Sequence, residues 1–197
     1  MMQLTHQLLR DRFQVQENDT YPWTGWFGNR HHLAMLFNDL GYQTGAEIGV
    51  QRGIYSEALC KFIPGLKLFS IDPWVPYHLV SQRKQDIVER EAREKLAQYN
   101  VDIIKKSSFD AVNEFEDGSL DFVYIDGDHN FDAVMLDLIL WTPKVRIGGI
   151  VAGHDYLVAH QCGVIHAVDT YVQAHFISNL YVLTKDRCPT FFWVREE

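Results

Sequence analysis

The sequence AEIGVQRG, residues 46–53, decides the fold of this chain. Its first three residues are typical of a buried strand, and Gly49 permits a tight turn after them. Residues 54–62 then carry apolar side chains at helical spacing, and a Pro-Gly pair ends that pattern. Glycines between a strand and a helix let a ligand approach the backbone and the free N–H groups of the first helical turn. The stretch therefore predicts a phosphate- or nucleoside-binding turn in an α/β sheet.

Glu47 separates this turn from the dinucleotide fingerprint. That fingerprint reads G-x-G-x-x-G and has no acid at the end of its strand. This turn reads acid-x-Gly-x-x-x-Gly, with Gly49 and Gly53 as its glycines. A carboxylate here would repel a pyrophosphate, and it suits a ligand that carries an amino group and a positive charge. A strand–turn–helix that binds nothing has the same pattern, so the prediction also needs acids at the ends of later strands.

A second acid ends the next predicted strand, residues 66–72. Asp72 lies about 20 residues beyond the glycine turn, the spacing at which a carboxylate reaches ribose hydroxyls. Asp72 also precedes a proline, so a simple turn aspartate is the alternative. We expect Trp74 to cover an adenine edge. Ser108, which follows a third predicted strand at 101–105, is expected on the adenine side, although serine at such a position also caps helices.

Most of the candidate catalytic side chains follow the fourth and fifth predicted strands. Residues 120–125 are typical of a buried strand and precede DGDHN, and residues 147–153 precede HDY. Ligands of an open parallel sheet bind outside the carboxyl ends of its strands, so side chains from neighbouring ends meet there. The titratable groups at these two ends are Asp126, Asp128, His129, His154 and Asp155. Such a concentration is costly in a purely structural site, which favours a function over the alternative that these residues only cap helices.

Length and composition narrow the class of protein. A length of 197 residues indicates one domain, and a hydrophobic share of 47% can supply its core. The formal net charge of −8 argues against DNA or RNA as the main partner. The three cysteines lie far apart without a C-x-x-C, so neither a disulfide framework nor a zinc knuckle is indicated. With no signal-like leader and no run of about 20 apolar residues, we expect a cytoplasmic protein without a membrane partner.

Together these features resemble the class I S-adenosylmethionine-dependent methyltransferases. Two segments carry a closer resemblance: SLDFVYIDGDHNFDAV, residues 119–134, and WTPKVRIGGIVAGHDY, residues 141–156. They are similar to the type 24 and macrocin O-methyltransferase-like group, and more distantly to catechol O-methyltransferase. The resemblance implies a three-layer Rossmann-like α/β fold whose mostly parallel, seven-stranded sheet ends in an antiparallel hairpin. Residues 1–43 would form a helical and aromatic cap segment, and residues 44–197 the methyltransferase domain.

The resemblance implies O-methylation of a hydroxyl on a small molecule or sugar, with S-adenosylmethionine as the methyl donor. Its pattern assigns Glu47, Gly49 and Gly53 to the methionine part of the donor. It assigns Asp72 to the ribose and Ser108 to the adenine side. The remaining candidates for donor binding are Ser56, Trp74, Asp126 and His129.

A divalent-metal site is a further implication of the resemblance. In metal-using relatives, the acid after strand four and a consecutive pair after strand five bind the ion, and these positions are Asp126, His154 and Asp155 here. The relatives usually carry oxygen ligands at the pair, so His154 is a departure that suits Mn²⁺ better than Mg²⁺. Two mechanisms stay open: the ion binds the acceptor oxygen and lowers its pKa, or His154 or His129 acts as general base without a metal.

Other functions on the same sheet remain alternatives. They are a nicotinamide-dependent oxidoreductase, which Glu47 disfavours, and a non-catalytic nucleoside-binding protein, which the intact strand ends disfavour. A nucleic-acid methyltransferase would need a basic surface and a different segment after strand four. We expect acceptor recognition from the aromatic segment at 21–28, the loop after Trp74 and residues 156–163. Relatives are often oligomeric, so a homo-oligomer is possible.

Overall fold

The structure is a computed structural model that describes residues 4–15, 22–25, 28–77, 80–160 and 162–196. Its helices are α1 (His6–Phe13), α2 (Arg30–Asp39), α3 (Ile54–Phe62), α4 (Gln82–Leu96), α5 (Ser108–Ala111), α6 (Phe131–Trp141) and α7 (Val164–Ala174). Short 3₁₀ helices follow α5 at Val112–Glu114 and α6 at Thr142–Lys144. Its strands are β1 (Trp23–Gly25), β2 (Thr44–Ile48), β3 (Lys67–Ile71), β4 (Val101–Ile104), β5 (Leu120–Ile125), β6 (Val145–Gly153), β7 (Tyr181–Leu183) and β8 (Thr190–Val194).

The strands form one sheet in the order β1-β7-β8-β6-β5-β2-β3-β4. Strand β8 is antiparallel to both of its neighbours, and the other pairs are parallel. The predicted mostly parallel sheet with an antiparallel C-terminal hairpin is therefore confirmed. The predicted count of seven strands is wrong, because β1 adds an eighth strand beside β7. At this edge of the sheet, the Trp23 N–H donates to the Leu180 carbonyl at 3.0 Å, and the Trp23 ring packs 5.0 Å from the Tyr181 ring.

Helices cover both faces of the sheet, which gives the expected three layers. Successive residues of β5 point to opposite faces, as the pleat requires. Phe122 and Tyr124 pack in a core with residues of α1, α2 and α3. Val123 and Ile125 pack in a second core with residues of α6 and α7. Because β5 is buried on both faces, its sequence is almost continuously apolar, as in parallel sheets generally.

The first part of the chain packs on the sheet through aromatic and aliphatic side chains. Leu9 and Phe13 of α1 belong to the same core as Phe122, and the Phe13 ring lies 5.6 Å from that of Phe192. Helix α2 ends at Asp39, and Gly41 follows in the left-handed conformation, with φ of 76°. A division of the chain at residue 44 stays a prediction.

The parallel strands end flush with one another. Ile48, the last residue of β2, is in register with Ile71 at the end of β3 and with Ile125 at the end of β5. Ile125 in turn pairs with Gly153, the last residue of β6. Each loop that carries a predicted site residue therefore starts from the same edge of the sheet. Within the described part of the chain, no helix is both long and apolar enough to cross a membrane.

Candidate active site

The glycine turn lies directly against the end of β5. Gly49 has a φ of 89°, and a Cβ atom there would stand 2.1 Å from the backbone oxygen of Asp126. Gly53 begins α3, also in the left-handed conformation, with φ of 68°. Only glycine adopts the first of these positions without displacing the backbone of Asp126. The sequence pattern thus places the start of α3 directly beside the titratable side chains that follow β5.

Glu47 is buried beneath this turn. Its side chain is 1% exposed and accepts a hydrogen bond from Ser56 Oγ, which in turn accepts one from Ser70 Oγ at 3.1 Å. Burial raises the pKa of Glu47 to about 8, against the hydrogen bond from Ser56, which lowers it. The carboxyl group is therefore largely protonated at neutral pH, and a cation arriving beside it would favour its ionised form. Glu47 and Ser56 are brought together as a pair; their contact with a donor stays a prediction.

Asp72 folds back on the glycine turn. Its Oδ2 accepts hydrogen bonds from the N–H groups of Val50 at 3.0 Å and Gln51 at 2.9 Å. Its Oδ1 accepts one from the Trp74 N–H at 2.8 Å. An ionised carboxylate accepts about four hydrogen bonds, so capacity for a ribose hydroxyl remains. The turn role considered as an alternative is present in the structure, and the ribose contact stays a prediction.

Trp74 is a core side chain in this structure. It is 1% exposed, and its indole N–H donates to the Gln51 carbonyl at 3.0 Å. Its neighbours in the core include Val88 and Leu96 of α4. The indole therefore supports the turn from below, and its predicted contact with an adenine edge stays a prediction.

Ser108 leads to a residue that the sequence reasoning missed. Its Oγ donates to Oδ1 of Asp137 at 2.5 Å, and burial raises the pKa of Asp137 to about 6. Asp137 lies on the buried side of α6, where Val134 and Trp141 are its neighbours in helical spacing. An acid inside an apolar helical stripe was the signal that could have identified it. The expected place of Ser108 on the adenine side stays a prediction.

Two acids and two histidines form the centre of the site, which we call the acid–histidine cluster: Asp126, His129, His154 and Asp155. Asp155 Oδ2 lies 3.2 Å from His129 Nε2 and 3.1 Å from His154 Nδ1. Asp126 Oδ1 lies 3.6 Å from His129 Nε2 and 3.8 Å from His154 Nδ1. The structure thus brings together all four predicted catalytic residues. Asp128 lies apart from them and is exposed, and its Oδ1 accepts the Asn130 N–H at 2.9 Å.

The charges of the cluster reinforce one another. The hydrogen bond from His154, with the charges of both histidines, lowers the pKa of Asp155 to about 2 despite partial burial. The Asp126 carboxylate, 3.6 Å away, raises the pKa of His129 above its ordinary value. Asp155 is therefore ionised throughout the physiological range, and its carboxylate faces the ring nitrogens of both histidines. Asp155 also has a φ of 56°, a left-handed conformation that is strained for a residue with a side chain.

Three of these residues fit a divalent metal ion. One ligand atom each from Asp126, His154 and Asp155 lies within 4.8 Å of the others. Two ligands about 2.1 Å from one ion are at most about 4.2 Å apart, so small side-chain movements would complete the site. One imidazole nitrogen with two carboxylate oxygens is a mixed donor set, which manganese and other transition metals accept more readily than magnesium does.

Arg30 is a second residue that the sequence reasoning missed. Its Nη1 lies 3.8 Å from Asp126 Oδ2, and its guanidinium lies over the Tyr55 ring, 5.2 Å from the centroid. The neighbouring histidines contact other groups: the His31 ring lies 5.8 Å from that of Phe62, and His32 Nδ1 lies 2.5 Å from Asn29 Oδ1. Only the tertiary approach of α2 to the end of β5 reveals Arg30, since its spacing along the chain carries no signal.

The segments expected to bind the acceptor are partly described. Residues 22–25 lie at the sheet edge, whereas Tyr21, Trp26 and Phe27 are outside the described residues, as are 78–79 in the loop after Trp74 and residue 161. The segment 156–163 runs beside the cluster: the Gly163 N–H donates to the His129 carbonyl at 2.8 Å, and Cys162 Sγ donates to the Asp155 carbonyl at 3.6 Å. Its place beside the cluster is compatible with acceptor binding, which stays a prediction.

Comparison with known proteins gives a family match for this region. A family model described as a methyltransferase domain matches residues 46–156, more than half of the chain. Among curated proteins, the uncharacterized protein y4gI of Sinorhizobium fredii is 24% identical over 149 residues. The match covers 68% of this chain but only 15% of y4gI, so the chain spans a small part of that relative's length.

Solved structures share this fold. The O-methyltransferase NovP is 20% identical with a TM-score of 0.65, covering 86% of this chain and 78% of NovP. Cofactor-bound Rv0187 from MTB is 14% identical with a TM-score of 0.63, covering 98% and 88%. The O-methyltransferase TomG from Streptomyces achromogenes, solved in complex with SAM, is 17% identical with a TM-score of 0.60, covering 84% and 78%. At these identities the likeness shows the fold alone.

Proposed function

Because this chain belongs to the methyltransferase domain family, as its sequence resemblance predicted, we propose that it is an S-adenosylmethionine-dependent methyltransferase. The proposed acceptor is a hydroxyl group of a small molecule or sugar. The observation that carries the proposal is the contact between the glycine turn and the acid–histidine cluster, where Gly49 meets the backbone of Asp126. A donor held at the turn would have its methyl group beside the cluster, whose side chains can accept the proton that the acceptor hydroxyl loses.

The charges around the turn suit a cationic donor. S-adenosylmethionine carries an ammonium and a sulfonium group, and the acids Glu47 and Asp126 would stabilise both. A nicotinamide dinucleotide would instead place its pyrophosphate against these acids, which disfavours the oxidoreductase alternative. TomG, which has this fold, was solved with SAM bound, and this supports the same donor here.

The reaction is a displacement at the sulfonium methyl. A lone pair of the acceptor oxygen forms the new C–O bond while the C–S bond breaks and its electron pair stays on sulfur, leaving S-adenosylhomocysteine. The acceptor hydroxyl must lose its proton, and a base in the cluster takes it. The donor provides the leaving group, so the protein contributes alignment, electrostatics and proton transfer.

His154 and His129 are the candidates for that base. The ionised Asp155 accepts a hydrogen bond from His154 Nδ1 at 3.1 Å, and this fixes the tautomer with a free Nε2. A free Nε2 can accept the acceptor's proton, in the manner of a histidine oriented by an acid. His129 lies 3.2 Å from the same carboxylate, and the raised pKa of its imidazole makes the neutral form less available than in an unperturbed histidine. We therefore favour His154 as base when no metal is bound.

A divalent ion is the second part of the proposal. Asp126, His154 and Asp155 would hold it. When bound, the ion supplies Lewis-acid stabilisation of negative charge on the acceptor oxygen. Of the two candidate bases, His129 would then be the one outside the three ligands, at 3.6 Å from Asp126 and 3.2 Å from Asp155. The charge of an ion on these acids would oppose their effect on His129, which raises its pKa in the protein alone.

The remaining expectations follow from composition and geometry. The net charge of −8 supports a small-molecule acceptor over a nucleic acid. Cys60, Cys162 and Cys188 are free thiols, which supports a reducing, cytoplasmic setting. Intact catalytic geometry favours an enzyme over a non-catalytic nucleoside-binding protein. A homo-oligomer stays a prediction.

Donor binding is the experiment that tests this function. Calorimetry should show S-adenosylmethionine and S-adenosylhomocysteine binding to the wild-type protein and weaker binding to Glu47→Ala. NADH serves as the competing ligand, and NADH binding without S-adenosylmethionine binding would contradict the proposal. Methyl transfer to a panel of phenols and sugars should then stop with EDTA and return with Mn²⁺; activity unaffected by EDTA would leave His154 as the base without a metal.

A further inference from the structure

The two carboxylate oxygens of Asp126 face different groups. Oδ1 lies 3.6 Å from His129 Nε2 and 3.8 Å from His154 Nδ1. Oδ2 lies 3.8 Å from Arg30 Nη1. Asp126 therefore divides the site into a histidine side, which holds the base and the candidate metal ligands, and an arginine side.

The arginine side adjoins the glycine turn. The guanidinium of Arg30 lies over the ring of Tyr55, the second residue of α3, and the Tyr55 hydroxyl donates to the Arg30 carbonyl at 2.9 Å. Burial dominates the raised pKa of Glu47 and the charge of Arg30 opposes it, so these two side chains are within electrostatic reach. Arg30 thus stands beside the two acids, Glu47 and Asp126, proposed to meet the methionine part of the donor.

The methionine part of the donor is not simply cationic. Its ammonium and its α-carboxylate share one carbon, and the nitrogen lies about 2.5 Å from the carboxyl carbon. A site with acids alone would stabilise the ammonium and repel the carboxylate. Within the described residues, Arg30 is the one arginine or lysine whose charged nitrogen lies within 4.0 Å of an acid of the acid–histidine cluster.

We propose that Arg30 binds the α-carboxylate of S-adenosylmethionine while Asp126 Oδ2 and Glu47 meet its ammonium group. This inference rests on the proposed function, because it takes that donor as the ligand. The guanidinium presents paired N–H donors that match a carboxylate, so lysine is an imperfect substitute. Arg30 would then distinguish a donor with an intact amino-acid end from adenosyl compounds that lack it.

The test compares ligands as well as variants. Calorimetry in EDTA measures binding of S-adenosylmethionine, S-adenosylhomocysteine and decarboxylated S-adenosylmethionine to wild type, Arg30→Met and Arg30→Lys. We expect Arg30→Met to weaken the two carboxylate-bearing ligands by about 10- to 100-fold, with a smaller loss for Arg30→Lys. Binding of the decarboxylated ligand should not weaken. Arg12→Met is the matched control, because Arg12 pairs with Asp39 at 2.7 Å at the opposite end of α2.

The outcomes separate this inference from the function on which it rests. Equal weakening of all three ligands by Arg30→Met would show that Arg30 only positions Asp126 or the fold, and it would overturn the inference. Unchanged binding of all three would overturn it too, because the carboxylate would then bind elsewhere. If the wild-type protein binds none of them, the donor assignment itself is wrong and the inference falls with it. Thermal unfolding of each variant confirms that the compared proteins are folded.

Discussion

Acids lie at the ends of β2 and β3 and again at the ends of β5 and β6, but their surroundings differ. Glu47 and Asp72 are engaged by the protein itself, one by Ser56 and the other by three backbone N–H groups of the turn region. Asp126 and Asp155 face histidines and retain 20% and 16% of their side-chain exposure. The first pair of acids holds the glycine turn, whereas the second pair faces groups that can exchange protons. Substitutions in the first region should therefore affect stability and donor affinity. In the second region Asp155 should affect turnover alone, and Asp126 should affect turnover and donor affinity through its two oxygens.

The largest effect expected is on the cluster. Asp155→Ala removes the hydrogen-bond partner of His154, the carboxylate 3.2 Å from His129 and one candidate metal ligand, so methyl transfer should fall by about 10³-fold or more. Donor affinity should stay near that of the wild type, since Asp155 lies on the histidine side. The measurement is single-turnover methyl transfer together with calorimetry. Asp117→Ala, at an exposed acid that pairs with Lys144 at 2.8 Å, is the control. Full activity in Asp155→Ala would reject this division of the site.

The next largest effect is a loss of folding stability, expected for a substitution in the glycine turn. Gly49→Ala would force a Cβ atom to 2.1 Å from the Asp126 oxygen at a φ of 89°. We expect a loss of about 3 kcal/mol in the free energy of unfolding, with donor binding abolished. Urea unfolding measures the first effect. Gly127→Ala is the comparison for stability, because a Cβ there meets nothing closer than 3.8 Å. Equal stability of the two variants would mean that the turn does not need its glycine.

Asp72 tests whether an acid of the first region is structural and binding at once. Asp72→Ala leaves three N–H groups without their carboxylate, and we expect about 2 kcal/mol of lost stability. Donor affinity should fall in the same variant, unlike Asp155→Ala. The exposed Asp102, paired with Lys67 at 2.7 Å, is the control, where Asp102→Ala should cost less than about 1 kcal/mol. A variant that loses stability but keeps its donor affinity would remove Asp72 from the ribose site.

The smallest expected effect is on the pH dependence of folding stability, through the ionisation of Glu47. Its pKa is about 8 in the fold against an ordinary 4.5, so the folded protein binds more protons than the unfolded chain between these values. Stability from this group is complete below pH 4.5 and is lost as the pH rises through 8. Glu47→Gln should flatten the decline by about 1 kcal/mol or more, seen as the difference between two series of urea unfolding curves.

The matched variant for this pH series is Glu57→Gln. Glu57 lies on the same helix as Ser56, and its carboxylate pairs with Lys61 at the surface, 2.9 Å away. It should leave the wild-type slope unchanged. Identical slopes in Glu47→Gln and the wild type would mean that Glu47 is ionised in the fold.

Local sequence patterns predicted much of this fold, because the features concerned are local. The helix at Ile54–Phe62 follows from apolar spacing, and the ends of β5 and β6 follow from apolar runs that stop at acids. Strand β1 was missed because three residues, one of them glycine, carry no period. Arg30 was missed because its role depends on where α2 meets β5, which no spacing along the chain encodes. Asp137 had a local signal, an acid in an apolar stripe, and was recoverable.

The flush ends of β2, β3, β5 and β6 have a consequence for the evolution of such a protein. They make a level platform from which each loop departs independently. The glycine turn occupies one part of that platform, and the segment that follows Asp155 departs from another. Loops of this kind tolerate insertion and exchange better than the strands beneath them. New acceptor preferences can therefore be acquired, or engineered, by exchanging loops on a platform that keeps its donor.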